Sequence, residues 1–393
     1  MKHLFRPTTS RLLSGTSNAA ASITSTPTFV KPPFAGHSKP TEATPKVAHK
    51  LYSHESTFKL HLGGSLPRFD VAFESWGRLN ERRDNVILLT TGLSASSHAK
   101  SHFGNRADGW WEKFIGPGLP LDTDKFHVIC TNVIGGCYGS TGPSSIDPVA
   151  SEKSGLPVRY GTNFPMVTIW DMMRAQFKLL DGSMGGMLSL AAAAMYPDRV
   201  GRVISISAAA RSHPYSIALR HMQRSVLMSD PNWLGGHYYD SGVIPAQGLS
   251  VRTVMCSSGA LIGTTNGYNH ISIGPEWEQR FGRKRKDPKA ERTLKTDFMI
   301  ESYLEHQGNK WVGQYDANSL IYLSRAMDMF DMTESKEIAT CLRDAGNKRV
   351  THFEIDGVYG HDTFLLDFTN VGSAVKGHVE IELTHAAPGE WHI

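Results

Sequence analysis

The sequence predicts an α/β protein: a mostly parallel sheet covered on both faces by helices, with a helical segment inserted into it. Three observations predict it. Residues 85–92 and 126–135 are continuous apolar runs, as strands buried on both faces require. Between and after such runs the spacing turns helical, with Val167, Trp170, Met173, Phe177 and Leu180 on one stripe. Residues 211–333 then break the alternation: they are rich in Met, Tyr and Gly, mostly helical in pattern, and hold no convincing parallel strand.

Taken in order, residues 1–47 form a leader outside the fold. Met1 to Thr41 contains no Asp or Glu, Ser, Thr, Pro and Ala dominate, and Leu4, Phe5, Leu12 and Leu13 interleave with Arg6 and Arg11. That is the composition of a mitochondrial transit peptide, and a tail without an address reads the same way, leaving a cytoplasmic protein. Residues 58–62 and 69–73 alternate around Gly63-Gly64-Ser65 and predict an antiparallel hairpin. The strands at 85–92 and 126–135 follow, then a helix at 165–181 and a second starting at Gly186. Arg202 to Ser207 predicts another buried strand. After the insertion come a helix at 335–345, a strand at 349–356 and a last helix beyond His361. The expected organisation is a leader (1–47), a core (48–210 and 334–393) and a helical lid (211–333).

Composition excludes several classes. With 393 residues, 40% hydrophobic and 20% charged, the chain is neither disordered, collagen-like nor coiled-coil. No window approaches the run of about 18 uncharged apolar residues that a spanning helix needs, so no membrane partner is expected. The net charge of +4 does not indicate nucleic acid, because the leader alone sets six basic residues against Glu42 and leaves the rest near neutral. The basic run Arg283-Lys284-Arg285-Lys286 sits beside Asp287 and Pro288 and reads as a solvated loop. Cys130, Cys137, Cys256 and Cys341 form no CxxC pair, which argues against a disulfide framework or a zinc ribbon.

The sharpest chemical signal is Gly182-Ser183-Met184-Gly185-Gly186 at the mouth of a helix. A serine on a tight turn backed by glycines can point its hydroxyl out of a sheet, leaving the next N–H, that of Met184, free for an oxyanion. The full Gly-x-Ser-x-Gly pattern has Asp181 at its first position here, and a Gly/Ser helix start reads similarly. A proton acceptor belongs after the last strand, where His361 stands five residues beyond Asp356. His98 and His102 have i, i+4 spacing, but no third ligand is evident, so no metal is expected. Cys137 reads as a small packed residue. Neither GxGxxG nor a P-loop occurs, so no nucleotide cofactor is indicated.

Residues 91–98 (Thr91-Gly92-Leu93-Ser94-Ala95-Ser96-Ser97-His98), Gly109-Trp110-Trp111, Gly116-Pro117-Gly118, Asp122-Thr123-Asp124, residues 131–137, Gly139 to Pro143, Gly182 to Gly186, Gly274 to Glu278 and Gly360-His361-Asp362 together resemble the homoserine/serine O-acyltransferases of the α/β-hydrolase superfamily. The wording of residues 93–98 is most similar to the fungal serine-acylating branch. The resemblance implies an α/β-hydrolase fold and a ping-pong reaction in sulfur amino-acid biosynthesis, with acyl-CoA (acetyl or succinyl) as co-substrate and L-serine or L-homoserine as acceptor. It implies Ser183 as nucleophile, His361 as base then acid, the N–H groups of Leu93 and Met184 as oxyanion hole, and Arg211 as ligand of the amino-acid carboxylate. A homodimer formed through the lid is expected with it.

Two departures from the family stand out. No Val/Ile-rich run lies between Leu180 and Ser183 to form the central strand before the nucleophile, and Thr333-Glu334-Ser335 joins helix to helix where a strand and the triad acid belong. Asp328, Asp331 and Glu334 lie in the interval that chain order demands, but none follows an apolar run, so the triad acid is unassigned. The alternatives are therefore a homoserine O-acetyltransferase, a plain esterase, and an impaired member of the family that lost two core segments by splicing or in the gene model.

Overall fold

In a computed structural model of the chain, the described residues are 49–180, 186–196, 200–206, 211–253, 278–291, 297–331, 355 and 367–380. The leader, the helix expected at 335–345 and all but Ile355 of the strand expected at 349–356 lie outside them. The strands are β1 (Lys50–His54), β2 (Phe58–Lys59), β3 (Ser65–Leu66), β4 (Phe69–Trp76), β5 (Val86–Thr90) and β6 (His127–Thr131). The main sheet has the order β1-β4-β6-β5. β5 runs parallel to β6 in the register Val86↔His127 to Thr90↔Thr131, and β4 is antiparallel to both β1 and β6.

The expected hairpin is corrected. Gly63 and Gly64 take φ of +90° and +79° and close a tight turn, so only Phe58 and Lys59 pair, with Leu66 and Ser65. Pro67 has no N–H to extend that ladder. β4 instead pairs with β1, from Lys50↔Phe73 to His54↔Phe69.

Alternation sorts the sheet's side chains into two cores. Phe69, Val71, Leu88 and Ile129 face one cluster, completed by Met172, Met173 and Phe177 of α2 (Ile169–Leu180) and Leu188 and Ala191 of α3 (Gly186–Met195). Trp76, Val128 and Cys130 face the other, with Trp110, Trp111 and Phe114. Val371, Val375 and Val379, an i, i+4 stripe on the last helix (Phe368–Glu380), complete it. The sheet is thus covered on both faces, as the apolar runs predict.

α2 starts on reciprocal bonds between Thr168 and Asp171, as a capping box does: the Thr168 N–H donates to Asp171 Oδ2 at 3.0 Å, and the Asp171 N–H donates to Thr168 Oγ1 at 3.2 Å. The helix stays helical to Leu180, and α3 begins at Gly186. Leu180 is thus the last described residue before Ser183, and the chain is helix, not strand, up to that point. Residues 202–206, expected as a buried strand, join no ladder among the described residues. Ser205 is exposed, while Ile204 and Ile206 pack half-buried against the second core. The described part of the insertion is helical, with α4 (Pro214–Met228), α5 (Met299–Trp311), α6 (Ala317–Asp328) and a short helix over residues 246–253. A short α1 (Pro148–Ser154) precedes α2, and the last helix (Phe368–Glu380) is α7.

Candidate active site

The loop after β5 carries the first of the predicted groups. Leu93 is half-buried against the first core, and its carbonyl accepts a 2.6 Å hydrogen bond from the Tyr315 hydroxyl, just ahead of α6. Among the described residues the Leu93 N–H has no acceptor. The Thr91 hydroxyl beside it is buried without a partner among the described residues. An N–H left open on a peptide whose neighbouring carbonyl is pinned is a preorganised donor for an oxyanion. Downstream, the Trp110 indole donates to the Ser96 carbonyl at 2.9 Å, and the Trp111 N–H donates to the Ala99 carbonyl at 2.8 Å.

Arg211 stands where the insertion begins. It forms an antiparallel bridge with Asp331, and the Ser212 N–H donates to the Phe330 carbonyl at 3.2 Å. Its side chain is exposed, and no carboxylate lies on its guanidinium among the described residues. An exposed planar fork of this kind suits a carboxylate ligand. No hydrogen bond or bridge among the described residues joins Arg211 to Leu93. Ser183, Met184 and His361 lie outside the described residues, as do Glu334 and Asp362. Of the acids in the interval before His361, Asp328 is committed elsewhere: it pairs with Arg220 at 2.5 Å and Arg224 at 2.6 Å, all three well buried.

The structure adds a cluster that the sequence spacing left incomplete. Glu74 shares the second-core face of β4 with Trp76 and is 5% exposed. Its Oε2 lies 2.8 Å from His98 Nδ1 and 2.9 Å from His102 Nε2. His98 Nε2 is 2.8 Å from the Ala107 carbonyl. Both His98 nitrogens therefore face acceptors, and the ring donates twice as an imidazolium. Burial opposes that charge, but the hydrogen bonds to Glu74 and Ala107 outweigh it and raise the pKa above the ordinary imidazole value. His102 Nδ1 accepts from the Gly104 N–H at 3.2 Å, so this ring carries its proton on Nε2 and donates to Glu74. The three groups converge within 4.8 Å. A cation is nonetheless disfavoured, because His102 Nε2 holds a proton and not a lone pair, and the spacings are those of hydrogen bonds. The sequence signal for Glu74 was an acid on a strand face whose other members, Ala72 and Trp76, are buried.

Two other expected readings can be placed. Cys137 packs against the first core, and burial, then the Asp316 charge, push its thiol up, away from a nucleophile's range. In the basic run, Arg285 is spent locally, on Asp297 at 2.7 Å and on the carbonyls of Pro288 and Ala290.

A family model for the α/β-hydrolase fold matches residues 85–368. The chain is 54% identical to a serine O-succinyltransferase of Emericella nidulans, over 74% of this chain and 55% of that protein. It is 37% identical to a homoserine O-acetyltransferase of Methanosphaera stadtmanae, over 82% of this chain and 71% of that one. The chain thus spans about half the length of the fungal relatives it matches. Among solved structures, a homoserine O-acetyltransferase from Bacillus anthracis superposes with a TM-score of 0.67 at 22% identity, covering 86% of this chain and 98% of that one. At that identity the superposition speaks for the fold alone.

Proposed function

The chain belongs to the homoserine/serine O-acyltransferase family of the α/β-hydrolase fold, and from that premise we propose that it transfers an acyl group from acyl-CoA to the hydroxyl of L-serine. Ser183 Oγ attacks the thioester carbonyl while His361 takes its proton. The C–S bond breaks, and CoA leaves with that proton. The serine hydroxyl then attacks the acyl-enzyme, giving its proton through His361 to Ser183 as the O-acyl ester departs. The N–H groups of Leu93 and Met184 hold the oxyanion, each donor of this kind being worth about 3–4 kcal/mol. Arg211 takes the acceptor's carboxylate. The insertion serves as the lid that excludes water, which separates transfer from hydrolysis, and pairs two copies. The leader directs the protein to the mitochondrion.

The observation that carries this reading is Leu93, whose carbonyl is held by Tyr315 and whose N–H has no acceptor among the described residues. The fungal relatives support serine as acceptor and a succinyl donor over homoserine and acetyl. The test is release of CoA by the purified protein from succinyl-CoA or acetyl-CoA, with serine, homoserine or no acceptor, and Ser183→Ala as control. Serine-dependent release lost in the control is expected; release without acceptor makes the protein an esterase.

A second reading, an impaired member of the family, is favoured by one observation: helix occupies the residues up to Leu180, where a nucleophile elbow needs a strand. No release with any acceptor from a folded protein supports it and overturns the first reading.

A further inference from the structure

The loop that runs from Gly92 to His98 is held at two ends. Tyr315 takes the Leu93 carbonyl, and the far end is held from the sheet by a single carboxylate. We propose that Glu74 is a positioning residue for this loop: one buried carboxylate oxygen binds His98 as an imidazolium and His102 through Nε2–H, fixing the far end of the segment whose near end presents the Leu93 N–H. The role assigned to Leu93 rests on the transferase reading above; the clamp itself does not.

The geometry argues it step by step. Glu74 sits on β4, an internal strand of the sheet, opposite Cys130 of β6 and next to Phe73, where the pairing with β1 ends. A carboxylate there cannot drift, so whatever it binds is located to within a hydrogen bond. His98 is 7% exposed, with Nδ1 on Glu74 and Nε2 on Ala107, so its ring has no freedom to turn. Its backbone is tied to the next loop, where the Trp110 N–H donates to the His98 carbonyl at 3.4 Å. A buried imidazolium and a buried carboxylate in contact form a charge-assisted bond that neither partner can leave without stranding the other.

Other charged groups near the pair are accounted for. Glu112, in an ion pair with Lys100 at 2.9 Å, adds to the field that favours the His98 cation. His49 feels the Glu74 charge, but burial lowers its pKa and keeps it neutral. The Cys130 thiol is pushed up by burial and then by Glu74, and stays uncharged. Glu74 and Glu112 therefore face His98⁺ and Lys100⁺, and among the described residues no second cation lies on the Glu74 oxygen, which also accepts the His102 Nε2–H.

The experiment follows the His98 ring proton by NMR in the full-length protein, assigned with His98→Gln, alongside amide exchange across residues 92–99. In the unaltered protein His98 is expected to titrate above the ordinary imidazole midpoint. In Glu74→Gln that midpoint falls by about one pH unit or more. Amide exchange over the loop rises by about tenfold or more, the scale set by losing a charge-assisted hydrogen bond. His102→Gln, which leaves the His98–Glu74 contact in place, moves the midpoint by less than half as much. Where transfer activity is measured, Glu74→Gln lowers kcat with KM nearly unchanged and moves the alkaline limb of the kcat profile to lower pH. An ordinary or depressed His98 midpoint in the unaltered protein overturns the clamp, and that measurement needs no variant to fold. Unchanged loop exchange in a folded Glu74→Gln protein overturns it too. So does stoichiometric Zn²⁺ binding that shifts both rings, which would make the cluster a metal centre. Absence of acyl transfer in the unaltered protein overturns the transferase reading and leaves these ring and exchange measurements interpretable.

Discussion

The Tyr315 hydroxyl donates a 2.6 Å hydrogen bond to the carbonyl of Leu93, 222 residues earlier in the chain. It ties the start of α6 to the loop after β5. Burial pushes this phenol well above its ordinary pKa, so the donor stays protonated throughout the working pH range. Tyr315→Phe keeps the ring, which meets Tyr138 edge-on at 5.4 Å, and removes only the donor. Unfolding in urea is expected to show a loss of about 1 kcal/mol. Under the proposed function, kcat falls while KM for acyl-CoA holds, because the Leu93 peptide loses its orientation and no substrate contact is removed.

Acid stability is expected to depend on Glu112. Its carboxylate accepts from the Ser101 N–H at 2.7 Å, the Gly109 N–H at 3.0 Å and Lys100 at 2.9 Å. Burial alone would raise its pKa, but these bonds outweigh burial and hold it at about 2, against 4.5 for the free side chain. A pKa depressed on folding stabilises the protein above the unfolded value and ceases to do so as pH falls through the folded one. Urea midpoints of the unaltered protein and Glu112→Gln should therefore differ most at pH 5 and converge as pH approaches 2. A constant difference across that range would count against the assignment.

Gly109, within the same tight turn, has no room for a side chain. A Cβ there would run into the backbone of Ala99 and Lys100, neither of which is the movable end of a side chain. Gly109→Ala should displace the loop that carries His98. The expected result is a lowered Tm and faster amide exchange at residues 96–101, in contrast to Gly377→Ala on the last helix, where a Cβ meets nothing within 4 Å.

The parts of the fold written in apolar runs were legible. β5 and β6 are continuous because both faces are covered, and α2 repeats at helical spacing because one stripe meets the sheet. β1 was not, because Lys50–His54 is largely exposed and joins β4 through backbone bonds that leave no apolar alternation. The alternating run at residues 58–62 therefore looked like the better partner for β4. Residues 202–206 read as a strand from their Val and Ile content, but a strand also needs a ladder beside it, which composition does not reveal. In the proposed site, Leu93 and Arg211 rest on resemblance to a family. Glu74 and Tyr315 were missed because each resembles something commoner: a lone acid in a strand looks solvent-facing, and a tyrosine between Gln314 and Asp316 looks like part of a polar turn ahead of a helix.

The carboxylate of Asp328 holds the end of α6 against α4 and, through it, the segment that carries Arg211. Asp328 is 2% exposed and receives Arg220 at 2.5 Å and Arg224 at 2.6 Å. Arg220 also donates to Ser212 Oγ at 2.7 Å, and that hydroxyl donates to the Met327 carbonyl at 2.6 Å. Asp328→Asn keeps the volume but leaves two guanidiniums without their counter-charge, a defect worth about 3–5 kcal/mol for a buried pair. Chemical unfolding should show a loss of that order. Under the proposed function, because Ser212 follows Arg211 directly, the loosened junction should raise KM for the amino-acid acceptor while sparing the acyl-CoA half-reaction, read as the first burst of CoA. A triad acid would behave in the opposite way. Its loss would cut the burst itself by about 10⁴, the cost of misorienting the imidazole. A preserved burst with a raised acceptor KM would therefore place Asp328 in the scaffold behind Arg211.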